Sequence, residues 1–503
     1  MAAQAKDGPP ISPDLDVLIV GAGFGGLCAA IRLKQRGGLS FAVVEKETDL
    51  GGTWWVNRYP GCGCDVASHL YSYSFALNPD WSRSFSGSEE IWRYLKDCAA
   101  RYELEPFLRF NTEVTAVRWH AEREHWQVDF ADKPTITARS VILATGALSR
   151  PAVPDIDGLD SFAGRLFHSQ QWDHDYALDG KHVAVIGTGA SAIQFIPHLA
   201  KRARKVTVFQ RSPPWILPKP DRRISRLEHW LFTRVPFMQR MARALVYSTN
   251  ELRAIAFIYR PALLKLFERV ALRHMNRSIE SPKLRHLLTP DYRIGCKRVL
   301  ISNDYYPALA QDNVRVVPQP VRALDATGVI AADGTHTPCD AVVLGTGFNV
   351  SAPFDPGFVI GEQGRDLARE WTDGPEAYLG TVVAGYPNLY MLAGPNTALG
   401  HNSMIYMIES QVNYVMSAID LMERAHLERL AVCEDVQRRY NAAVQKELAG
   451  SVWNTGGCRS WYRHPSGKNV ALWPDFTWRF RKRTKQVNPD DFERAIHGSE
   501  SSR

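Results

Sequence analysis

The sequence predicts an α/β fold made of two Rossmann-like dinucleotide-binding domains with a helical insertion. Three observations predict it. Two glycine-rich loops occur, at Gly21-Ala-Gly-Phe-Gly-Gly26 and Gly187-Thr-Gly-Ala-Ser-Ala192. A short apolar run precedes each loop, and a second strand-like run follows after a helical stretch. At 503 residues the chain can hold roughly two to four domains.

The elements follow in order. Asp16–Val20 is apolar throughout its last four positions and reads as a buried parallel strand. Leu27 to Arg36 has helical spacing, and Phe41-Ala-Val-Val-Glu45 is the next strand. It ends in Glu45, where a dinucleotide fold places the acid that takes ribose hydroxyls. The unit recurs as Lys181–Ile186, Gly187–Ala192 and Lys205–Phe209, but the second tip reads Gln210-Arg211-Ser212. An Arg there suits the 2′-phosphate of NADP, so the first unit reads as an FAD site and the second as an NADPH site.

In each loop the first glycine (Gly21, Gly187) permits the tight turn. The second (Gly23, Gly189) lets the backbone approach a pyrophosphate, and the third position (Gly26, Ala192) lets the helix pack on its strand. The strands Val141–Gly146 and Val342–Gly347 both end in Thr-Gly and close their respective units. Pro151 and Pro154 mark a hinge between them. The expected division is 1–150 and 385–503 for the first domain, 151–219 and 291–384 for the second, and 220–290 for the insertion. The last stretch is expected to run through a helix at 411–448 to a Trp-rich tail in which Trp453, Trp473 and Trp478 are core.

Composition narrows the field. A net charge of +7 with mixed signs describes a soluble globular chain, and no nucleic-acid motif accompanies it. Eight Cys without framework spacing predict reduced thiols and a cytoplasmic protein. The polar start Met1–Pro10 carries no apolar leader, and His182 to Ala200 reads as strand, loop and helix, interrupted by Gln194, so no integral membrane segment is expected. No metal site and no protein partner are implied. Within the insertion, Ala254–Tyr259 and Leu263–Leu272 are amphipathic. A basic amphipathic helix can rest on a membrane, but packing on its own domain is the favoured reading.

Two segments carry more specific chemistry. Gly51-Gly-Thr-Trp-Trp-Val-Asn-Arg-Tyr-Pro-Gly-Cys-Gly-Cys-Asp65 joins an irregular Gly/Pro backbone to a flat aromatic wall, and composition alone leaves Asp65 equally a turn residue. Cys62 and Cys64 are separated by one residue, which is not a dithiol active-site spacing. Phe162, Gly164, His168, Trp172 and Asp173 form the second segment.

These residues match F-x-G-x-x-x-H-x-x-x-W-[P/D], and the chain resembles the type I Baeyer–Villiger monooxygenases. Gly51–Asp65 is similar to that family's other fingerprint, and the likeness runs from about residue 14 to 490. The resemblance implies FAD, NADPH and O₂, a C4a-peroxyflavin, and oxygen insertion beside the carbonyl of a small-molecule ketone to give an ester or lactone. It implies that Arg298, in Gly295-Cys-Lys-Arg-Val299, is the catalytic cation and that Asp65 pairs with it. Taken alone, two adjacent basic residues read as a solvated surface. Lys297 would reach the 2′-phosphate with Arg211 and Ser212. Thr53, Trp54, Asp65, Val114 and Asn396 would contact the cofactors, and Trp461 would fold over bound NADP. After Trp461 the chain departs from the family pattern, reading Arg463-His-Pro-Ser-Gly. The segment Phe162–Asp173 would link the domains, with His168 in an indirect role. The runner-up is a sister enzyme that oxygenates sulfur or amines. A pyridine-nucleotide disulfide reductase and a non-enzymatic nucleotide sensor complete the alternatives.

Overall fold

A computed structural model describes residues 12–350 and 352–493; the start Met1–Pro10, from which no leader is expected, lies outside them. In the first sheet Leu15–Val20 is central, with Phe41–Val44 parallel on one side and Ile136–Leu143 parallel on the other. Leu108–Arg109 extends one edge. Antiparallel His125–Phe130 and Val114–His120 extend the other, where Val359–Ile360 pairs last. Leu389–Met391 lies along the second half of Ile136–Leu143. The second sheet is parallel throughout, in the order Val314–Val317, Lys205–Phe209, His182–Ile186, Ala341–Leu344, Arg165–His168. Its central strand is buried at every position, which explains the unbroken apolar run.

Both phosphate loops leave the carboxyl end of a central strand and enter a helix, Phe24–Arg36 or Ala192–Arg202. Each loop turns beneath the strand that closes its unit. Gly21 has φ 106°, and a side chain there would meet the Ala144 carbonyl at 2.6 Å. Gly187 has φ 105° and faces the Gly345 carbonyl in the same way. The Thr-Gly strands are thus the lids against which the loops are packed.

Three expectations need correction. The chain returns to the first sheet at Val359–Ile360 and not at 385, because that strand already pairs with Val117 and Arg118. The helix expected over 411–448 is two helices, Met404–Arg424 and Glu434–Leu448. His426 takes a left-handed backbone (φ 52°) between them, and Val432 then bridges to Phe492. Trp453 and Trp473 are core, but Trp478 is exposed.

The insertion enters between Lys205–Phe209 and Val314–Val317. It comprises helices Arg226–Arg234, Pro236–Ala254, Leu264–Ser278 and Pro282–Leu288, with a π turn at Ile255–Tyr259. The π turn buries Ala256, Phe257 and Ile258, as a helix packed on its own domain should. Among the described residues no helix is long and apolar enough to cross a membrane.

Gly164 opens the edge strand Arg165–His168 in a space with no room for a side chain. A Cβ there would lie 2.5 Å from both the Asp340 carbonyl and the Phe162 ring. Gly164→Ala should therefore cost about 1–3 kcal/mol through overpacking. A thermal melt followed by circular dichroism should show a lowered midpoint, and an unchanged midpoint would refute this account.

Candidate active site

The segment Gly51–Asp65 bridges the two nucleotide units. At its start the Gly51 amide donates to the Ala22 carbonyl (2.9 Å) inside the first phosphate loop. Gly52, at φ 53°, backs onto Gly23, and a side chain would begin 3.0 Å from the Gly23 Cα. Thr53–Val56 then forms one helical turn with Trp54 buried, its indole donating to the Tyr71 hydroxyl (3.2 Å). Further along, Gly61 (φ 80°) presses on the Gln194 carbonyl and the His198 ring of the second unit's helix.

Gln194 holds the segment there. Its amide oxygen accepts from the Tyr59 hydroxyl (2.8 Å) and its amide nitrogen donates to the Gly63 carbonyl (2.9 Å). In the sequence Gln194 is marked only as a polar interruption in an apolar run. A lone amide on the inward stripe of a helix is the signal that could have marked it.

The segment ends at Asp65, which meets Arg298 in a two-point ion pair. Arg298 Nε donates to Oδ2 and Nη2 to Oδ1, each at 2.7 Å. The two side chains are 37% and 26% exposed, with Arg298 the more open, so its free edge can still face a ligand. Burial opposes the charge on Asp65, but the guanidinium outweighs it and holds the carboxyl below the usual range. Asp65 in turn raises Arg298 above its ordinary value, against the cost of its own burial. The result is a fixed, permanently charged cation.

Lys297, the preceding residue, points to a different place. Its Nζ donates to Ser212 Oγ (2.6 Å) and sits 4.7 Å above the Tyr292 ring. Burial and the nearby Arg211 charge both lower its pKa. Two mutually repelling cations and a hydroxyl converge at the tip of the second unit's second strand, the donor set an anion requires.

The helix starts have the same character. Gly23 and Ser191, the N-cap residues of the two nucleotide helices, make no side-chain cap, and neither helix has an acid in its first turn. Gly189 has no atom nearer than 3.9 Å to a notional Cβ, leaving backbone open to a ligand. Glu45 is buried against the first loop, accepting from the Ala22 amide (2.7 Å) and the Glu47 amide (3.1 Å). Val114 is buried at the start of its strand. Uncapped helix starts and close-packed glycines fit two dinucleotide pyrophosphates. Among the described residues no His, Cys, Asp and Glu cluster could hold a metal.

The segment Phe162–Asp173 makes its contacts elsewhere. The His168 Nδ1 accepts from the Gln170 amide (3.1 Å), which leaves Nε2–H to donate to the Gly347 carbonyl (3.0 Å). Burial lowers its pKa, so the ring is neutral. Trp172 lies against Phe167 and Phe195, with ring centroids 5.2 and 5.3 Å away. Asp173 pairs with Arg165 and accepts the amides of Asp175 and Tyr176. This segment packs the second unit's edge; its hydrogen bonds do not reach Asp65 or Arg298.

The tail closes over the same region. Asn396 (φ 54°) is buried and donates to the carbonyls of Asn469 (2.7 Å) and Leu472 (3.1 Å). Trp461 is exposed and stands edge-on to Tyr462 (4.5 Å). One expectation fails here. Cys296 and Cys458, 162 residues apart, form a disulfide, where reduced thiols were expected throughout. Folding brings the turn at 293–296 and the tail together, as the Arg293 amide donates to the Gly456 carbonyl (3.0 Å). The bridge anchors the Trp461 loop two residues from Arg298. The other six cysteines are free. Burial pushes the Cys62 thiol up to about 11 and raises Cys64 as well, so neither is a ready thiolate.

Two outcomes follow from this geometry. Lys297→Ala should raise KM for NADPH about tenfold, roughly 1.4 kcal/mol, and leave KM for NADH unchanged in steady-state assays. Cys458→Ser should free the tail loop and raise KM for NADPH about threefold or more, since ordering the loop then falls on the binding step. Wild-type protein treated with a reductant should behave alike, and identical kinetics for all three preparations would refute the tether.

The flavin-binding monooxygenase-like family model matches residues 15–363. A Baeyer–Villiger monooxygenase of Pseudomonas aeruginosa is 50% identical over 489 residues, covering 97% of this chain and 93% of that protein. One of Streptomyces coelicolor is 46% identical, covering 95% and 92%. Among solved structures, OTEMO in complex with FAD and NADP superposes with a TM-score of 0.85 at 27% identity, covering 96% of this chain and all of that one. Cyclohexanone monooxygenase from Rhodococcus sp. Phi1 bound to NADP+ does so with a TM-score of 0.85 at 26% identity, covering 96% and 99%. The chain belongs to the flavin-binding monooxygenase-like family and, within it, to the Baeyer–Villiger monooxygenases.

Proposed function

We propose that this protein is an FAD- and NADPH-dependent monooxygenase that inserts one oxygen atom of O₂ beside the carbonyl of a small-molecule ketone, giving an ester or lactone. The observation that carries the reading is the Asp65–Arg298 pair at the junction of the two nucleotide units. The first loop, Gly21–Gly26, would hold FAD and the second, Gly187–Ala192, would hold NADPH; when bound, the two would supply the reducing equivalents and the activated oxygen.

The protein's own residues supply position and charge. Arg298 keeps its charge when solvent is excluded, and Asp65 fixes its orientation. Its free edge stabilises negative charge as it develops on oxygen. Lys297, Arg211 and Ser212 would hold the 2′-phosphate, and Glu45 the ribose of FAD. Gln194 keeps the Asp65 segment against the NADP helix. Neutral His168 ties the edge strand to Gly347 and acts by position, not by proton transfer. Buried, protonated Cys62 and Cys64 speak against dithiol chemistry. Residence in the cytoplasm belongs to the same proposal, supported by six free cysteines beside the one bridge.

A ketone panel run against NADPH oxidation, with products identified by mass, tests the reaction. An ester or lactone 16 mass units above the ketone supports it, and a thioether panel giving sulfoxide alone would overturn it. Asp65→Ala should keep FAD bound yet slow ketone turnover about ten- to a hundredfold. Unchanged ketone turnover would remove Asp65 from the mechanism.

A further inference from the structure

Helix Pro236–Ala254 is amphipathic in the reverse of the usual sense. Its inward stripe is polar. Gln239 donates to the Asn78 carbonyl (2.5 Å), and Arg243 donates to the carbonyls of His69 (2.9 Å) and Leu70 (3.0 Å). Glu251 accepts from Thr477 and Asn402, each at 2.6 Å. Its outward stripe is apolar: Phe237, Met241, Leu245 and Leu252 are 64%, 51%, 66% and 63% exposed. The neighbouring elements continue this pattern, with Leu227 and Trp230 before it and Leu266 and Val270 after it. Of sixteen exposed large apolar side chains among the described residues, twelve lie between 227 and 270. That concentration marks a surface built to be covered.

Charge identifies the cover. Residues 226–278 hold ten Lys and Arg against three Glu, an excess equal to the whole chain's +7. The remainder of the chain is therefore neutral. All three Glu are engaged: Glu228 caps its helix and pairs with Arg222, Glu251 is buried, and Glu268 accepts the Ile294 amide. Arg240, Arg253, Lys265 and Arg269 are exposed among the apolar residues.

We infer that the helical insertion seats this protein on the surface of an anionic lipid bilayer. The apolar stripes enter the boundary between acyl chains and headgroups, and the Arg and Lys side chains meet lipid phosphates. A second copy fits this face poorly, because two surfaces of the same strong positive charge would be opposed. Nucleic acid would satisfy the charge but offers no phase for Phe237 and Leu245. The expectation that the insertion's apolar stripes all face a core holds for the π turn and fails for the outward stripes. The inner end of the insertion touches the active-site turn, since Phe257 packs against Gly295, three residues before Arg298.

The test is co-sedimentation of the purified holoenzyme with vesicles of phosphatidylcholine alone or of phosphatidylcholine and phosphatidylglycerol at about 7:3. The wild type should bind the anionic vesicles and release from them as salt is raised. Phe237→Ser with Leu245→Ser should weaken binding about tenfold or more, and Arg240→Gln with Arg269→Gln about threefold with a shallower salt dependence. All four sites are exposed, so NADPH oxidation without vesicles should be unchanged in both variants. Absence of wild-type binding, or undiminished binding by the first variant, would overturn the inference. So would size-exclusion data in which that variant converts a wild-type dimer to monomer, which would assign the stripe to a second copy.

Discussion

Asp65 and Arg298 share two hydrogen bonds of 2.7 Å across a sequence separation of 233 residues. A partly buried carboxylate or guanidinium standing alone would carry a desolvation cost, and each offsets that cost for the other. Neither can be in place unless both nucleotide units are folded and docked. Asp65 ends a segment that begins against the first phosphate loop, and Arg298 leads into a short strand, Leu300–Ile301, that pairs with Ile216–Leu217 at the mouth of the insertion. The pair is therefore both a chemical group and a report that the architecture is assembled.

Close packing at glycine transmits that assembly. Gly52 on Gly23 and Gly61 on the Gln194 carbonyl leave the Gly51–Asp65 segment no freedom at either end. Gln194 adds directional bonds, so movement of the second unit's helix is movement of Asp65. The Phe162–Asp173 segment belongs to the same mechanical system at one remove. His168 bonds Gly347, at the end of the strand beneath which the second phosphate loop turns. A neutral, doubly satisfied imidazole is a fastening there, which accounts for its distance from the charged pair. The Cys296–Cys458 bridge adds a covalent fastening and joins the tail to the segment that carries Lys297 and Arg298.

The insertion shows how a surface can be specialised without disturbing that system. Its polar residues are spent inward, on carbonyls and hydroxyls of the two units and the tail. The apolar residues Phe237, Met241, Leu245 and Leu252 and the cations Arg240, Arg253, Lys265 and Arg269 are left outward. Helix Pro236–Ala254 is held by hydrogen bonds to neighbours where most helices are held by an apolar stripe, which frees that stripe for another phase.

The two nucleotide units are legible in the sequence because their signals are local. A strand buried on both faces must be apolar throughout, and a loop passing under a carbonyl must be glycine. Both demands appear as contiguous patterns around Gly21 and Gly187. Arg211 at a strand tip and Glu45 at its counterpart are local for the same reason. Other features were decided by tertiary structure alone. No spacing rule pairs Cys296 with Cys458 or selects Gln194 as the clasp, because each partner arrives from a different element; the pairing of Asp65 with Arg298 is expected from the family resemblance and not from any local pattern. Periodicity likewise marks Ala254–Tyr259 and Leu263–Leu272 as amphipathic, and the reading it favours turns their apolar stripes inward. The sequence states that two stripes exist; only the packed neighbours, polar at Asn78, His69 and Thr477, determine that the polar stripe turns inward. Sequence by itself determined the elements and their cofactor logic, since those depend on residues within a few turns of one another. The site and the exposed face depend on contacts between elements far apart in the chain, and only folding makes them.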